Sequence, residues 1–265
     1  MELDQNDTVK NQFGWLPLSV FRPEPRPAWD KLIGDTGDYQ QTRRSATSEY
    51  LPSLRYSKFH SHLAEIVIRY WSQVGDLIVD PFAGRGTRGF VATELGRRYE
   101  AYEVAPTTHA YLTTKLPTCR NHLGDGCQMA ATSDATADLV FTCPPYHQLE
   151  RYEGAVNQLS DLKSYEHFLT KIQECAGHIG RVLRPGAFVC WVCADWRDGK
   201  AFRLFHRDSL AAFEAADLIP WDVVVIVNNS PFAPLQAGKV AATRYTSKTH
   251  EYLLVFRKPE LQTNL

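Results

Sequence analysis

Apolar positions in this chain alternate between helical spacings and short unbroken runs along most of its length. From Phe59 to Trp71, Leu63, Ile66, Val67 and Tyr70 recur at the period of an amphipathic helix. Leu77-Ile78-Val79 then forms a β-branched run that predicts a buried strand over Asp76–Asp80. Phe90-Val91-Ala92 with Leu95 predicts a short helix stopped at Gly96. Tyr99–Val104 reads as a second strand ending near Glu103, and Thr107–Leu116 as a helix. A short, weak third strand precedes the turn Leu123-Gly124-Asp125-Gly126. Leu139-Val140-Phe141 carries a fourth strand over Ala137–Thr142. A long helix over Tyr165–Leu183 is stopped by Pro185-Gly186, with Ala187–Asp195 as the fifth strand. Phe205–Leu218 reads as a helix, and Trp221–Val227 and Glu251–Phe256 as the last two strands. This alternation predicts an α/β domain with one mostly parallel, doubly wound sheet.

Two loops follow apolar runs directly, and both therefore lie at carboxyl ends of strands, where open α/β sheets bind ligands. The first is Asp80-Pro81-Phe82-Ala83-Gly84-Arg85-Gly86-Thr87, a glycine turn that lets a ligand approach the backbone. The second is Thr142-Cys143-Pro144-Pro145-Tyr146, a stiff diproline followed by an aromatic ring. A cofactor loop beside a rigid aromatic loop points to group transfer onto a planar substrate. The first loop also contains a formal G-x-G-x-x-G, Gly84 to Gly89, which keeps a nicotinamide-binding fold as an alternative. The Asp-Pro-Phe prefix and the second loop argue against it.

The remaining segments carry less pattern. Residues 1–54 read as an irregular extension, broken by Pro17, Pro23, Pro25 and Pro27, with residues 55–265 as the main domain. In the extension, Phe13, Trp15, Phe21 and Trp29 are interleaved with Arg22, Arg26, Lys31, Arg43 and Arg44. That mixture suits either packing on the core or a nucleic-acid-contacting arm, and the two are compatible. Two polar loops are predicted, Gln148–Asp161 with Arg151, Tyr152 and Asn157, and Asn228–Lys248 with Ser230-Pro231, Lys239, Arg244 and Lys248.

Composition narrows the picture modestly. A chain of 265 residues with 44% hydrophobic and 22% charged residues fits an ordinary globular protein. A net charge of −1 lacks the bias of a strong nucleic-acid binder, so such contacts must come from local clusters. The 6 cysteines have no framework spacing. Cys190 and Cys193 lie three apart on a predicted strand and so point to opposite faces, which argues against a shared metal. Buried thiols in a reducing compartment, a polar acidic amino terminus without a signal peptide and no apolar membrane-length run predict a cytoplasmic protein.

Together the two loops resemble those of the S-adenosylmethionine-dependent DNA methyltransferases that modify exocyclic amino groups. Their cofactor loop reads Asp-Pro-Phe-x-Gly-x-Gly-Thr, matched throughout here. Their catalytic loop reads (Asp/Asn/Ser)-Pro-Pro-(Tyr/Phe), matched except that Cys143 stands at its first position. Val182-Leu-Arg-Pro-Gly-Ala-Phe-Val and Lys248-Thr-His-Glu-Tyr-Leu-Leu-Val-Phe extend the likeness, to about residues 55–258. The resemblance implies a Rossmann-like methyltransferase fold with a seven-stranded sheet whose final strand is reversed. It also implies S-adenosylmethionine as cofactor, S-adenosylhomocysteine as product and DNA as partner, with no metal and no membrane. A homodimer and a restriction-modification setting are compatible with it. No block remains for a separate target-recognition domain, so short or relaxed sequence specificity is expected.

The resemblance also assigns residues. Asp80, Pro81, Phe82, Ala83, Gly84, Gly86 and Thr87 would form the cofactor loop, with Thr142 beside it. Glu103 can accept both ribose hydroxyls, as acids do in nicotinamide-binding folds. Asp125 resembles the acid that accepts from the adenine amino group, and Phe59 the ring packing on the methionine side. Cys143, Pro144, Pro145 and Tyr146 would be catalytic, a backbone carbonyl accepting from the target amine and Tyr146 stacking on an extruded base. Thr-Cys-Pro-Pro-Tyr lies closest to the Thr-Ser-Pro-Pro-Tyr wording associated with cytosine N4. A covalent role for Cys143 in carbon methylation is disfavoured, since that chemistry places its cysteine after Pro-Pro. An RNA base methyltransferase and a catalytically idle cofactor-binding subunit remain alternatives.

Overall fold

The computed structural model describes residues 17–33, 59–149, 156–228 and 242–260. Its strands, in chain order, are β1 (Val20–Phe21), β2 (Leu77–Asp80), β3 (Arg98–Glu103), β4 (Arg120–Leu123), β5 (Ala137–Thr142), β6 (Leu183–Cys193), β7 (Trp196–Asp198), β8 (Ala201–Arg203), β9 (Ile219–Val227) and β10 (His250–Arg257). The helices are α1 (Pro27–Ile33), α2 (Ser61–Trp71), α3 (Thr87–Glu94), α4 (Pro106–Lys115), α5 (Tyr165–Val182) and α6 (Phe205–Glu214). Among the described residues the main sheet has 8 strands in the order β1-β9-β10-β6-β5-β2-β3-β4. Only β10 runs antiparallel to its neighbours, β6 and β9. The predicted Rossmann-like architecture with a reversed last strand is therefore the one observed.

Alternation along the strands explains the three layers. Ile78, Leu139, Phe141, Cys190, Val192, Leu253 and Val255 face a core formed with α2, α3 and α4. Leu77, Val79, Val140, Val189, Trp191, Cys193, Leu254 and Phe256 face the opposite core, closed by α5 and α6. Cys190 and Cys193 thus lie in different cores, as the strand period requires. Helix α5 begins at Ser164, whose hydroxyl accepts from the His167 N–H at 3.1 Å and satisfies an otherwise unpaired donor.

Three features depart from the sequence expectation. The sheet gains an eighth strand, because Val20–Phe21 of the extension pairs in parallel with β9. Trp196–Asp198 and Ala201–Arg203 form a hairpin between the fifth predicted strand and the next helix, where the sequence pattern predicts no element. Strand β6 starts at Leu183, so Pro185-Gly186 lies inside it and not ahead of it. The register with β5 jumps from Ala137↔Leu183 to Leu139↔Phe188, leaving Pro185 and Gly186 in a bulge. Gly186, at φ +79°, donates its N–H to the Lys258 carbonyl at 3.0 Å, so the bulge remains paired.

The described part of the extension packs on the body. Phe21 is buried and meets the His62 ring edge-on at 5.1 Å, while the Trp29 indole donates to Glu65 at 2.9 Å. Arg26 lies 2.6 Å from His62 and 3.5 Å from Glu65. Phe21 is part of the core and Trp29 packs partly against it, so both have a packing role. Phe13, Trp15, Arg43 and Arg44, Arg151 and Tyr152, and Ser230-Pro231 and Lys239 lie outside the described residues.

Candidate active site

The carboxyl ends of β2, β3 and β5 border an open cleft of about 1130 Å³, counting its mouth. Its floor begins at Asp80, which is fully buried and anchors both loops. Asp80 Oδ1 accepts from the Phe82 N–H at 3.1 Å and from the Thr142 hydroxyl at 2.7 Å. Its Oδ2 accepts from Arg88 Nε at 2.6 Å and from the Tyr99 hydroxyl at 2.6 Å. Burial and the adjacent Asp80 charge push the Tyr99 phenol upward, so it remains a donor. Arg88 is 5% exposed, donates also to the Phe82 carbonyl at 2.6 Å, and lies over the Phe59 ring at 4.6 Å.

This arrangement corrects two assignments. Asp80 and Thr142 do not line the cleft but lie beneath it, with no exposed surface. They hold the first loop to the second: Thr142 ends β5, and its hydroxyl ties that strand to Asp80 at the end of β2. Every other predicted site residue lines the cleft. They are Phe59, Pro81, Phe82, Ala83, Gly84, Gly86, Thr87, Glu103, Asp125, Cys143, Pro144, Pro145 and Tyr146, with the loop after β2 lying between the ends of β3 and β5 in the sheet order.

The turn geometry explains the glycines. Gly84 and Gly86 have φ of +55° and +87°, a region that side-chain-bearing residues rarely adopt. Glu103 Oε1 accepts from the Ala105 N–H at 2.8 Å. Burial pushes its carboxyl upward, and backbone N–H groups of Ala105, Val104 and Gly84 partly offset this. Asp125 accepts from the Cys127 N–H at 2.8 Å, which fixes the carboxylate at the cleft's far end. Glu103 and Asp125 each present carboxylate oxygens that can accept further hydrogen bonds, and Phe59, edge-on to Phe141 at 5.6 Å, lines the same cleft.

The second loop is rigid for tertiary as well as local reasons. Tyr146 is 8% exposed, with its ring 5.4 Å from Trp196 and 6.2 Å from Phe205. It presents only its cleft-facing side to a substrate. Sequence reasoning missed Arg88, Gly126, Gln158 and Glu251 on the cleft wall. For Arg88 a signal existed, an arginine at the second position of the helix that follows the Asp80 loop. For Glu251 the signal was indirect, its place at the start of a final strand expected to run reversed, and strand order was still needed to bring it to this cleft.

A DNA methylase family model matches residues 29–113 and 137–264. The chain belongs to this DNA methylase family. Its motifs, which specify amino-methylating members, and the family's S-adenosylmethionine cofactor agree with the cleft just described. The chain is similar to the type II methyltransferase M.MthZI of Methanothermobacter thermautotrophicus, 24% identical over 159 residues, covering 53% of this chain and 45% of that protein. It thus spans about half the length of that relative. In fold it is similar to geranyl diphosphate C-methyltransferase of Streptomyces coelicolor A3(2), with TM-score 0.53, 14% identity, and coverage of 75% and 76% of the two chains. TrmN of Thermus thermophilus gives TM-score 0.51 at 14% identity, covering 76% of this chain and 49% of that one. Among the described residues no helix is long and apolar enough to cross a membrane, and no cluster of His, Cys, Asp and Glu is arranged to hold a metal.

The cofactor assignment makes a quantitative prediction. Glu103→Ala is expected to weaken S-adenosylmethionine binding by about 1.5–3 kcal/mol, the range for hydrogen bonds to a charged group. Titration calorimetry checks it, and wild-type affinity in the variant would remove Glu103 from the ribose site.

Proposed function

We propose that the methylase transfers a methyl group from S-adenosylmethionine to the exocyclic amino group of a base in DNA, cytosine N4 in preference to adenine N6. The observation that carries this reading is one cleft lined by both the glycine turn after β2 and Cys143-Pro144-Pro145-Tyr146 after the neighbouring strand β5. The type II methyltransferase named among its relatives supports DNA as the substrate. The Thr-Cys-Pro-Pro-Tyr wording supports cytosine.

When bound, the cofactor supplies an electrophilic methyl carbon on a positively charged sulfur. Gly84 would leave room for it along the backbone, Glu103 and Asp125 would hold its adenosine and Phe59 its methionine end, and all of them line the cleft. The target amine is a weak nucleophile, because its lone pair is delocalised into the ring. Hydrogen bonds that draw on its N–H groups localise that pair, and a backbone carbonyl in the stiff Pro144-Pro145 segment is suited to accept one. Reaching the cleft requires the base to leave the duplex, and the open side of Tyr146 can receive its face.

The deciding experiment incubates the protein with labelled cofactor and either DNA or RNA, then separates the nucleosides. Label in N4-methylcytosine from DNA is expected, and label confined to RNA would overturn the reading. Cys143 supplies a second check. A thiol accepts hydrogen bonds poorly, so Cys143→Ser is expected to keep or raise the rate, with an amino-methylated product. A Ser variant that binds cofactor and DNA yet is inactive would point to a ring-attacking thiolate.

A further inference from the structure

The reversed strand brings to the cleft a carboxyl group that neither sequence motif contains. Because β10 runs antiparallel, its first residues arrive at the edge where β2, β3 and β5 end. Glu251, second in that strand, lines the same cleft as Cys143, Pro144 and Pro145. Pleat alternation places them on one side of the sheet. Cys143 continues the row of Leu139 and Phe141, and Glu251 continues the row of Leu253 and Val255, all on the α2–α4 face.

The surroundings of Glu251 are unusual for a carboxyl group. Burial pushes its pKa up, and the Asn228 side chain at the end of β9 bonds to it and partly offsets that effect. Among the described residues no Lys, Arg or His forms an ion pair with it. A half-buried carboxyl that no described cation pairs with is costly to maintain for packing alone. It is a suitable proton acceptor, with lone pairs left after one amide has bonded. The methylase also lacks a good side-chain acceptor at the first position of its catalytic loop, where Cys143 stands.

We propose that Glu251 is a catalytic residue that accepts the proton released by the target amine, a role resting on the amino-transfer reading above. In that step the amine lone pair forms the new N–C bond as the methyl carbon's bonding pair to sulfur returns to sulfur. One N–H proton then passes to a Glu251 carboxylate oxygen, and its bonding pair stays on nitrogen as the neutral methylamine. Before the transfer the same oxygen accepts a hydrogen bond from that N–H, the task Cys143 performs poorly.

Glu251→Gln tests the proposal because it keeps the side-chain volume and the Asn228 contact while removing the basic oxygen. Single-turnover methylation of DNA, at saturating cofactor and DNA, is expected to slow by at least ~100-fold, within the range of positioned acid–base groups. Cofactor and DNA dissociation constants are expected to stay within about twofold. An unchanged rate overturns the proposal. So does a slow variant whose cofactor affinity falls in parallel, which would assign Glu251 to cofactor binding. Should the Gln variant fail to fold, Glu251→Asp carries the test: a slowed rate with intact affinities is expected, and a wild-type rate overturns the role. A wild-type protein that binds cofactor but leaves DNA unmethylated sinks the parent reading instead, so the two failures are distinguishable.

Discussion

Replacing Arg88 with methionine is expected to lower the unfolding free energy by about 3–5 kcal/mol, the cost of leaving a buried charge without its partner. Arg88 and Asp80 are 5% and 0% exposed, at 2.6 Å, so water cannot take the place of the guanidinium. The remaining donors, from Phe82, Thr142 and Tyr99, carry no positive charge. The loss extends to the site, because Arg88 also holds the Phe82 carbonyl and underlies Phe59. Denaturant unfolding measures the effect. A double variant, Asp80→Asn with Arg88→Met, is expected to recover much of the lost stability, since the stranded charge is then gone. A loss below about 1 kcal/mol in the single variant would mean that Asp80 is neutralised some other way.

Gly126→Ala is expected to abolish cofactor binding while Gly124→Ala, two residues away, leaves it unchanged. A Cβ on Gly126 would sit 1.8 Å from the Pro81 carbonyl oxygen and 2.7 Å from its carbon, both backbone atoms of the cofactor loop. No rotamer change relieves such an overlap, so either the loop or the Asp125 turn must move. Both carry residues that line the cleft, so either movement displaces the groups assigned to the cofactor. A Cβ on Gly124 meets nothing within 4 Å, which makes that variant the control. Calorimetric titration of both variants, with circular dichroism to confirm folding, decides the matter. Wild-type affinity in Gly126→Ala would show the loop to be compliant.

Gly126 illustrates a general division in this chain. In the sequence it reads as one more turn residue after a weak strand. Its requirement comes from Pro81, which belongs to a different loop and touches it only once β2 and β4 are both placed on the sheet. The same holds for Thr142 and Asp80. Each motif is legible by itself, but the hydrogen bond between them, 62 residues apart, is what makes a single site of two loops. Predicted as cofactor contacts from their motif positions, both residues instead serve beneath the cleft.

Local chemistry determined the rest. Unbroken apolar runs specified which strands are buried on both faces, the helical period specified the layers covering them, and the alternation of the two implied a parallel sheet. The opposite orientations of Cys190 and Cys193 followed from the strand period alone. Glycine and proline located both loops at strand ends, because their backbone restrictions act within a residue or two. Where local rules failed, a distant partner had overridden them. Pro185 sits in a strand because a bulge paired to Lys258 accommodates it, and Val20–Phe21 becomes a strand because β9 offers an edge. Glu251 is the furthest case: no period or motif brings it to Cys143, and only the antiparallel path of β10 delivers its carboxyl to the cleft. Periodicity and turn chemistry act over a few residues and are written in the sequence. Which side chains share a cavity depends on strand order and direction, and only the assembled sheet decides that.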